Sequence, residues 1–515
     1  MRTFTGLAAL VGACLVCAPT ADARVVVPIE RTHALARGHV EPVGDDFVRF
    51  GDYGDLLLAW TDGRRVRATI RPDGGRFGPP RTIPGLRDGI ANHSVTEPFV
   101  GPGGRMLWGW RPGPGDGDTS RMLVATAPGA PVQTLATGPS SVALGPLSRD
   151  AAIGPDGDVA LALVSAGGLD VALAGPNGRF GAPQHLAAAG SPVVSVGRGG
   201  ATVVAWTARA ACAVDPAATC SVVQAALRPA GGAFGATITL DEQPRGGTVS
   251  QLQAVASSAG PIVWWYRRPP FPNDGAIVVA TGSFTGLGAG VVLPGTADPR
   301  TDGRCPPGPP GPSGRGALLP TVRAVRPGRA GGLLVLLERD EGCGILLDEL
   351  ALAADGTAGA PRRLTATALA TRDDVTMLDG DGPRPALVTQ TASGRVAVAR
   401  AERGAPFPTP RAAPLPTGAR LGAFGVLRDG ALALAFGRPC APGARVADIA
   451  LLPRRGAWRK PVRVSRCGAP EPVYVDSTGR AVFVSAGTGV RAVSSAPIAP
   501  YARGSRGGGS QRSGR

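Results

Sequence analysis

The sequence predicts an all-β fold assembled from repeated four-stranded antiparallel units, and three observations carry that prediction. Turn formers abound, with Gly 77 and Pro 51 among 515 residues. The hydrophobic fraction is 43% against 18% charged residues, enough apolar side chain for a core and too little charge for long solvated helices. A short phrase centred on an aromatic returns at a spacing of about 50 residues, which marks a repeat architecture.

The phrase is clearest at Gly75-Arg76-Phe77-Gly78-Pro79, Gly178-Arg179-Phe180-Gly181-Ala182-Pro183 and Gly232-Ala233-Phe234-Gly235-Ala236. Weaker copies centre on Phe284, Ala358, Phe407 and Trp458, with a degenerate one near Gly129-Ala130-Pro131. One interval is lengthened by an insertion from Thr296 to Pro320, whose Pro-Gly run is too short for a triple helix and reads as a loop.

Each unit has the same grammar. A short apolar strand ends in a Gly-rich turn, a nearly continuous apolar strand follows, and a third alternating strand leads to the phrase and a short last strand. In the first unit these fall at Phe47 to Phe50, Asp55 to Trp60, Arg65 to Arg71 and Arg81 to Pro84. In the fourth they fall at Pro192 to Gly197, Ala201 to Trp206, Ser221 to Arg228 and Ala236 to Leu240. Asp62-Gly63, Asp73-Gly74, Asn177-Gly178, Asp355-Gly356 and Asp429-Gly430 supply the positive-φ residues that tight turns need. A second strand such as Ala431 to Phe436 is apolar throughout and so expected to be covered on both faces. Leu347 to Leu352 would pass locally for a helix, but its repeat phase assigns it to a third strand.

Four antiparallel strands per unit, inner ones covered on both sides, describe the blade of a β-propeller. Eight units are complete, and a ninth (Glu471 to Asp476, Arg480 to Ala486, Val490 to Ile498) lacks its last strand. Val25 to Ile29 can supply it and close the ring, leaving no free blade edge. The expectation is a single closed propeller over residues 24–500, with eight or nine blades. The pattern resembles secreted bacterial β-propeller repeat proteins of a loosely sialidase-like kind. Asp73-Gly74-Gly75-Arg76-Phe77 keeps the Asp, Gly and aromatic of the sialidase Asp-box at shortened spacing, without its Ser, Thr and Trp pattern. The resemblance implies a fold and no activity.

Residues 1–23 read as a secretory signal: Arg2, an apolar stretch from Phe4 to Ala18, and a small-x-small site at Ala21-Asp22-Ala23. Secretion after cleavage near Ala23 is expected; the alternative is a lipid anchor at Cys14, within Val11-Gly12-Ala13-Cys14. No later apolar run is long enough for a transmembrane segment. Formal charge is +16, almost wholly from arginine, and residues 501–515 form a basic Gly/Ser/Arg tail expected to be disordered. Scattered arginines and 5% aromatics argue against nucleic acid as a partner, because no stacking platform accompanies the charge.

Catalytic and cofactor signatures are sought without success. No Lys follows a Gly-rich loop, no Gly-x-Ser-x-Gly elbow occurs, and His33, His39, His93 and His185 show no metal-ligand spacing. Asp379 and Asp381 fall short of a calcium loop. No cofactor or metal is expected. Tyr266 beside Arg267 and Arg268 would suit a sialidase-like site, and Glu338, Asp340 and Glu341, or Asp116 and Asp118, would suit paired acids. Strand-end tryptophans such as Trp60, Trp206 and Trp265 suit either sugar stacking or packing between blades.

Six cysteines follow the signal: Cys212, Cys220, Cys305, Cys343, Cys440 and Cys467. Repeat phase maps all six to one edge of the ring and pairs them as Cys212–Cys220, Cys305–Cys343 and Cys440–Cys467. That edge also carries long, charged loops, so Arg111, Asp116, Asp118, Tyr266, Arg267, Arg268, Glu338, Asp340, Glu341 and Arg438 are candidate ligand-face residues. The function expected is a monomeric, secreted binding or scaffold propeller that recognises an extracellular polysaccharide or protein there. The alternative is a glycoside hydrolase or lyase of sialidase-like propeller type.

Overall fold

The computed structural model describes residues 29–35, 41–42, 48–51, 54–61, 65–87, 98–110, 121–137, 151–165, 168–187, 190–244, 247–268, 275–293, 321–329, 332–340, 345–353, 357–365, 375–378, 385–390, 395–427, 429–468, 472–485 and 491–495. The expected signal segment and basic tail lie outside them. Described residues form nine antiparallel sheets, seven of four strands and two of five, with no α-helix.

Numbered in chain order, sheet 1 contains Val48–Phe50, Leu56–Thr61, Arg65–Arg71 and Arg81–Arg87, with Glu41–Pro42 added beside the second of these. Sheets 2 and 3 span 99–137 and 151–187. Sheet 4 contains Ser191–Val196, Thr202–Ala211, Thr219–Arg228 and Ile238–Gln243, and sheet 5 spans 248–292. Sheet 6 contains Thr321–Pro327, Leu333–Asp340, Ile345–Leu352 and Arg362–Arg363, and sheet 7 spans 375–412. Sheet 8 contains Arg420–Val426, Leu432–Ala441, Ala444–Leu452 and Val462–Arg463. Sheet 9 contains Pro472–Val475, Ala481–Ser485 and Arg491–Ser495, and its fourth strand is Ile29–Ala34 from the other end of the chain. The segment that looked helical locally, Ile345–Leu352, is the third strand of sheet 6.

The expected terminal pairing is therefore present from Ile29 onward. Residues 25–28 lie outside the described set, and the register runs from Ile29 opposite Ser495 to Ala34 opposite Arg491.

Apolar second strands place the core between the sheets. Leu57, Ala59, Met106 and Trp108 join sheets 1 and 2; Leu107, Val124, Ala151 and Leu161 join sheets 2 and 3. Equivalent clusters join each later neighbour, ending with Ala433, Ile449, Val475 and Phe483 between sheets 8 and 9. Sheet 9 meets sheet 1 through polar contacts: buried Arg71 pairs with Asp476, and Ser477 donates its N–H to Asp73 Oδ1 at 3.0 Å.

First and second strands are joined by one recurrent tight turn. It is closed by Gly51 N–H to Asp55 O at 2.9 Å, Gly154 to Asp158 at 2.8 Å, Leu427 to Ala431 at 2.7 Å and Asp476 to Arg480 at 3.0 Å. Glycine at the first turn position also lets neighbouring sheets approach: a Cβ at Gly51 would run into the carbonyl oxygen of Val100.

Candidate functional site

Every second strand runs away from these tight turns, so the opposite edge holds the second-to-third connections. Two disulfides brace that edge. Cys212–Cys220 closes the hairpin between the second and third strands of sheet 4. Cys440–Cys467 ties the end of the second strand of sheet 8 to the segment after its fourth strand. Both are the pairings expected from repeat phase; Cys305 and Cys343 lie outside the described residues. Within the sheet 4 hairpin, Glu242 Oε1 accepts the Ala213 N–H at 2.8 Å and stands 3.5 Å from Cys220 Sγ. Cys212, Cys220 and Glu242 are close enough to share an ion, but both sulfurs are consumed in the disulfide.

The predicted ligand-face residues divide sharply. Tyr266 is 3% exposed and packs with Trp264, Ile277 and Leu333 between sheets 5 and 6, so it is core rather than ligand face. Arg267 lies 3.7 Å from Asp241, which also accepts Trp265 Nε1–H at 2.6 Å, and Arg268 is exposed at the strand end. Glu338 is buried and bonded to Arg323, a correction to its reading as a ligand-face acid: the first strand of its own sheet supplies the counter-charge. Asp340 is the last residue of its strand, opposite Ile345. Arg438 binds Asp448. Arg111, Asp116, Asp118 and Glu341 lie outside the described residues, as do His39, His93, Asp379 and Asp381.

Tryptophan is mostly packing material, and Trp458 is half-buried. Trp60, Trp108, Trp110, Trp206 and Trp265 are fully buried, and none offers a face to a sugar. His33 sits in the closing strand opposite Ala492, and His185 is exposed with Nδ1 2.9 Å from Asp170.

Ion pairs missed by the sequence reading organise the braced edge. In sheet 6, third-strand Asp348 pairs with fourth-strand Arg363 at 2.7 Å. In sheet 8, third-strand Asp448 faces fourth-strand Arg463 at the same spacing in the chain. Both fourth strands end in a hydroxyl that accepts a third-strand N–H: Thr365 from Leu347 at 3.0 Å, Ser465 from Ala447 at 2.7 Å. A carboxylate inside an otherwise apolar strand, followed 15 residues later by arginine, was the available signal.

On its other face sheet 6 holds a second network. Glu349 bonds Arg326 at 2.7 Å, Arg362 at 2.7 Å and the Phe407 N–H at 2.9 Å. Arg326 also stacks over the Phe407 ring at 4.2 Å. Burial pushes the Arg326 pKa down, while Glu349 pulls it back up.

Sheet 8 is arranged differently. Arg438 and Arg463 share the fully buried Asp448, Arg445 Nη1 donates to Gly437 O at 3.1 Å, and Arg420 and Arg466 are exposed. Buried guanidinium atoms without a hydrogen-bond partner occur in both sheets, Arg438 Nη2 and Arg463 Nε in sheet 8 and Arg326 Nη1 in sheet 6.

The tight-turn edge carries an acid of a different kind. Asp55, 2% exposed, has no hydrogen-bond partner on Oδ1, and burial with the neighbouring Asp73 carboxylate pushes its pKa up to about 7. Asp158 is raised as well, by burial and then by Asp156.

No family model matches the chain, and no curated relative matches it. Among solved structures it is similar to a polysaccharide lyase at 10% identity and a TM-score of 0.35, covering 91% of this chain and 99% of that one. It is similar to a lectin of Burkholderia pseudomallei at 14% identity and a TM-score of 0.32, covering 84% and 100%. It is similar to a prolyl endopeptidase at 12% identity and a TM-score of 0.36, covering 82% of this chain and 54% of that one, so it spans about half of that protein. Likenesses this weak assign no role to any residue. Among the described residues, no helix is long and apolar enough to cross a membrane.

Proposed function

We propose that the chain is a secreted nine-bladed β-propeller, closed by its N-terminal strand, that binds an extracellular polymer through its disulfide-braced edge. The observation that carries this reading is that both described disulfides brace the same edge, Cys212–Cys220 on sheet 4 and Cys440–Cys467 on sheet 8. A connection held rigid before binding loses less conformational entropy on contact, which favours a binding edge. The contacts joining each sheet to the next, and sheet 9 to sheet 1, support the closed ring.

Binding without turnover is supported by the acids of sheets 6 and 8. Glu338, Asp348, Glu349 and Asp448 each hold an arginine, and paired carboxylates of this kind are poor proton donors for glycoside cleavage. Incubating the purified protein with a panel of plant and bacterial polysaccharides tests the reading. The expected result is retention of polymer with no new reducing ends or unsaturated products; release of either contradicts it.

A further inference from the structure

We infer that Cys440–Cys467 is a thiol-exchange site, opened by a dithiol reductant, whereas Cys212–Cys220 is a permanent staple. Its control over polymer binding rests on the reading of the braced edge as a binding surface. The two bridges brace the same edge but differ in access. Cys212 and Cys220 are 6% and 2% exposed and pack against Val222. Cys440 and Cys467 are both exposed, as are their neighbours Pro439, Ala441, Arg466 and Gly468. Exchange requires a thiolate to reach a sulfur of the bridge, so the exposed bridge is the labile one.

Charge separates the bridges in the same direction. Glu242 Oε1 stands 3.5 Å from Cys220 Sγ, where a carboxylate repels an attacking thiolate and disfavours a departing one. Cys467 instead follows the exposed Arg466, and a guanidinium beside a sulfur favours both. Register explains why Cys440 is within reach. Pro439 faces Arg445 and Ala441 faces Ala444, so Cys440 is the extra residue of a bulge. A bulge re-aims a side chain out of the strand's alternation, and this one meets the segment after the fourth strand.

Exchange runs in two displacements. A reductant thiolate attacks Cys440 Sγ, the bond between the two sulfurs breaks, and Cys467 leaves as a thiolate next to Arg466 in the chain. The second thiolate of the reductant then attacks the mixed disulfide and releases Cys440. Two electrons pass to the cysteines, the reductant is left as a disulfide, and its two thiol protons end on Cys440 and Cys467. Sheet 8 does not depend on the bridge alone. The segment also donates Val464 N–H to Ala447 O at 2.9 Å and Gly468 N–H to Arg445 O at 2.9 Å, and Ser465 Oγ accepts the Ala447 N–H at 2.7 Å. What loosens is the tie between that segment and the hairpin tip, Pro439 to Gly443.

Dithiothreitol is the probe. The full-length oxidised protein is exposed to it without denaturant, quenched with excess iodoacetamide at intervals and mapped by peptide mass spectrometry. The expected result is alkylation of Cys440 and Cys467 at least about tenfold faster than of Cys212 and Cys220, ahead of any loss of the folded circular dichroism spectrum. Arg466→Glu should slow opening of the first bridge and Glu242→Gln should hasten the second, which exposure alone would not produce. Equal rates, or Cys212–Cys220 opening first, overturn the inference, and rates that neither variant moves overturn its electrostatic part. Protein opened and alkylated only at Cys440 and Cys467 should retain polysaccharide about threefold or more weaker than the oxidised form, because the tip must be ordered on contact. Equal retention overturns the control over binding. An oxidised protein that retains no polysaccharide overturns the polymer reading, and the exchange site is then decided by the rates.

Discussion

Sheets 6 and 8 solve the same local problem with different amounts of acid. Each has an aspartate in the third strand, an arginine opposite it in the fourth, and a hydroxyl two residues later holding a third-strand N–H. Sheet 6 adds Glu338 and Glu349, so Arg323, Arg326, Arg362 and Arg363 all have carboxylate partners. In sheet 8 the residue after the aspartate is Ile449 rather than an acid, and Asp448 alone serves Arg438 and Arg463. Sheet 6 therefore surrounds its buried arginine with acid, whereas sheet 8 divides one carboxylate between two arginines. Charge count along the chain does not distinguish them, since arginine is frequent in both.

The largest effect should come from opening the network of sheet 6. Glu349→Ala leaves Arg326, 3% exposed, without its partner, and loss of one member of a buried pair costs about 3–5 kcal/mol. Thermal unfolding should show the largest drop of any single variant considered for sheets 6 and 8; a drop below that of Asp448→Asn would contradict the contrast.

The two disulfides come next. Cys440 and Cys467 are separated by 27 residues and Cys212 and Cys220 by 8. Restricting the unfolded chain is worth about 3.5 kcal/mol for the longer loop and about 2.5 kcal/mol for the shorter. Denaturation of the Cys440→Ser/Cys467→Ser and Cys212→Ser/Cys220→Ser proteins should rank them in that order.

Asp55 sharpens the contrast, because it is a buried acid whose neighbour is another carboxylate, Asp73. Its carboxyl, ordinarily near 3.8, is raised to about 7, so between those values the folded protein holds a proton that the unfolded chain has lost. Stability should decline as pH rises through that window and level off above about 7. Asp55→Asn has no proton to lose, so its melting temperature should fall less than wild type between pH 5 and 8. Parallel pH profiles would remove Asp55 as the cause.

The smallest effect tests what the two sheets share. Thr365→Ala and Ser465→Ala each leave one third-strand N–H unpaired and should each cost about 1–3 kcal/mol, equally within error. A clear inequality would mean that the edges differ in backbone support as well as charge.

Strands were legible because their signals are local. Arg65–Arg71 is as expected, and the second and third strands of sheet 9 fall within the expected segments, since continuous apolar runs and Gly-rich turns read directly as buried strands and tight connections. Both described disulfides followed from phase for the same reason. The ion pairs were not legible: Glu338 looked available to a ligand because Arg323, its partner, lies 15 residues earlier on another strand. Tyr266 looked exposed beside two arginines because the sheet 6 leucines that bury it lie far along the chain. The terminal strand was legible in kind but not in extent, since Ile29–Ala34 pairs with Arg491–Ser495 beyond the expected end at Ile29.

Hydrogen exchange with and without a saturating polysaccharide tests the braced edge most directly. The expected result is added protection in peptides spanning 208–221 and 436–447, beside the two disulfides. Protection centred on the tight turns such as 51–55 and 476–480, at the opposite edge, would contradict the braced edge as the binding surface.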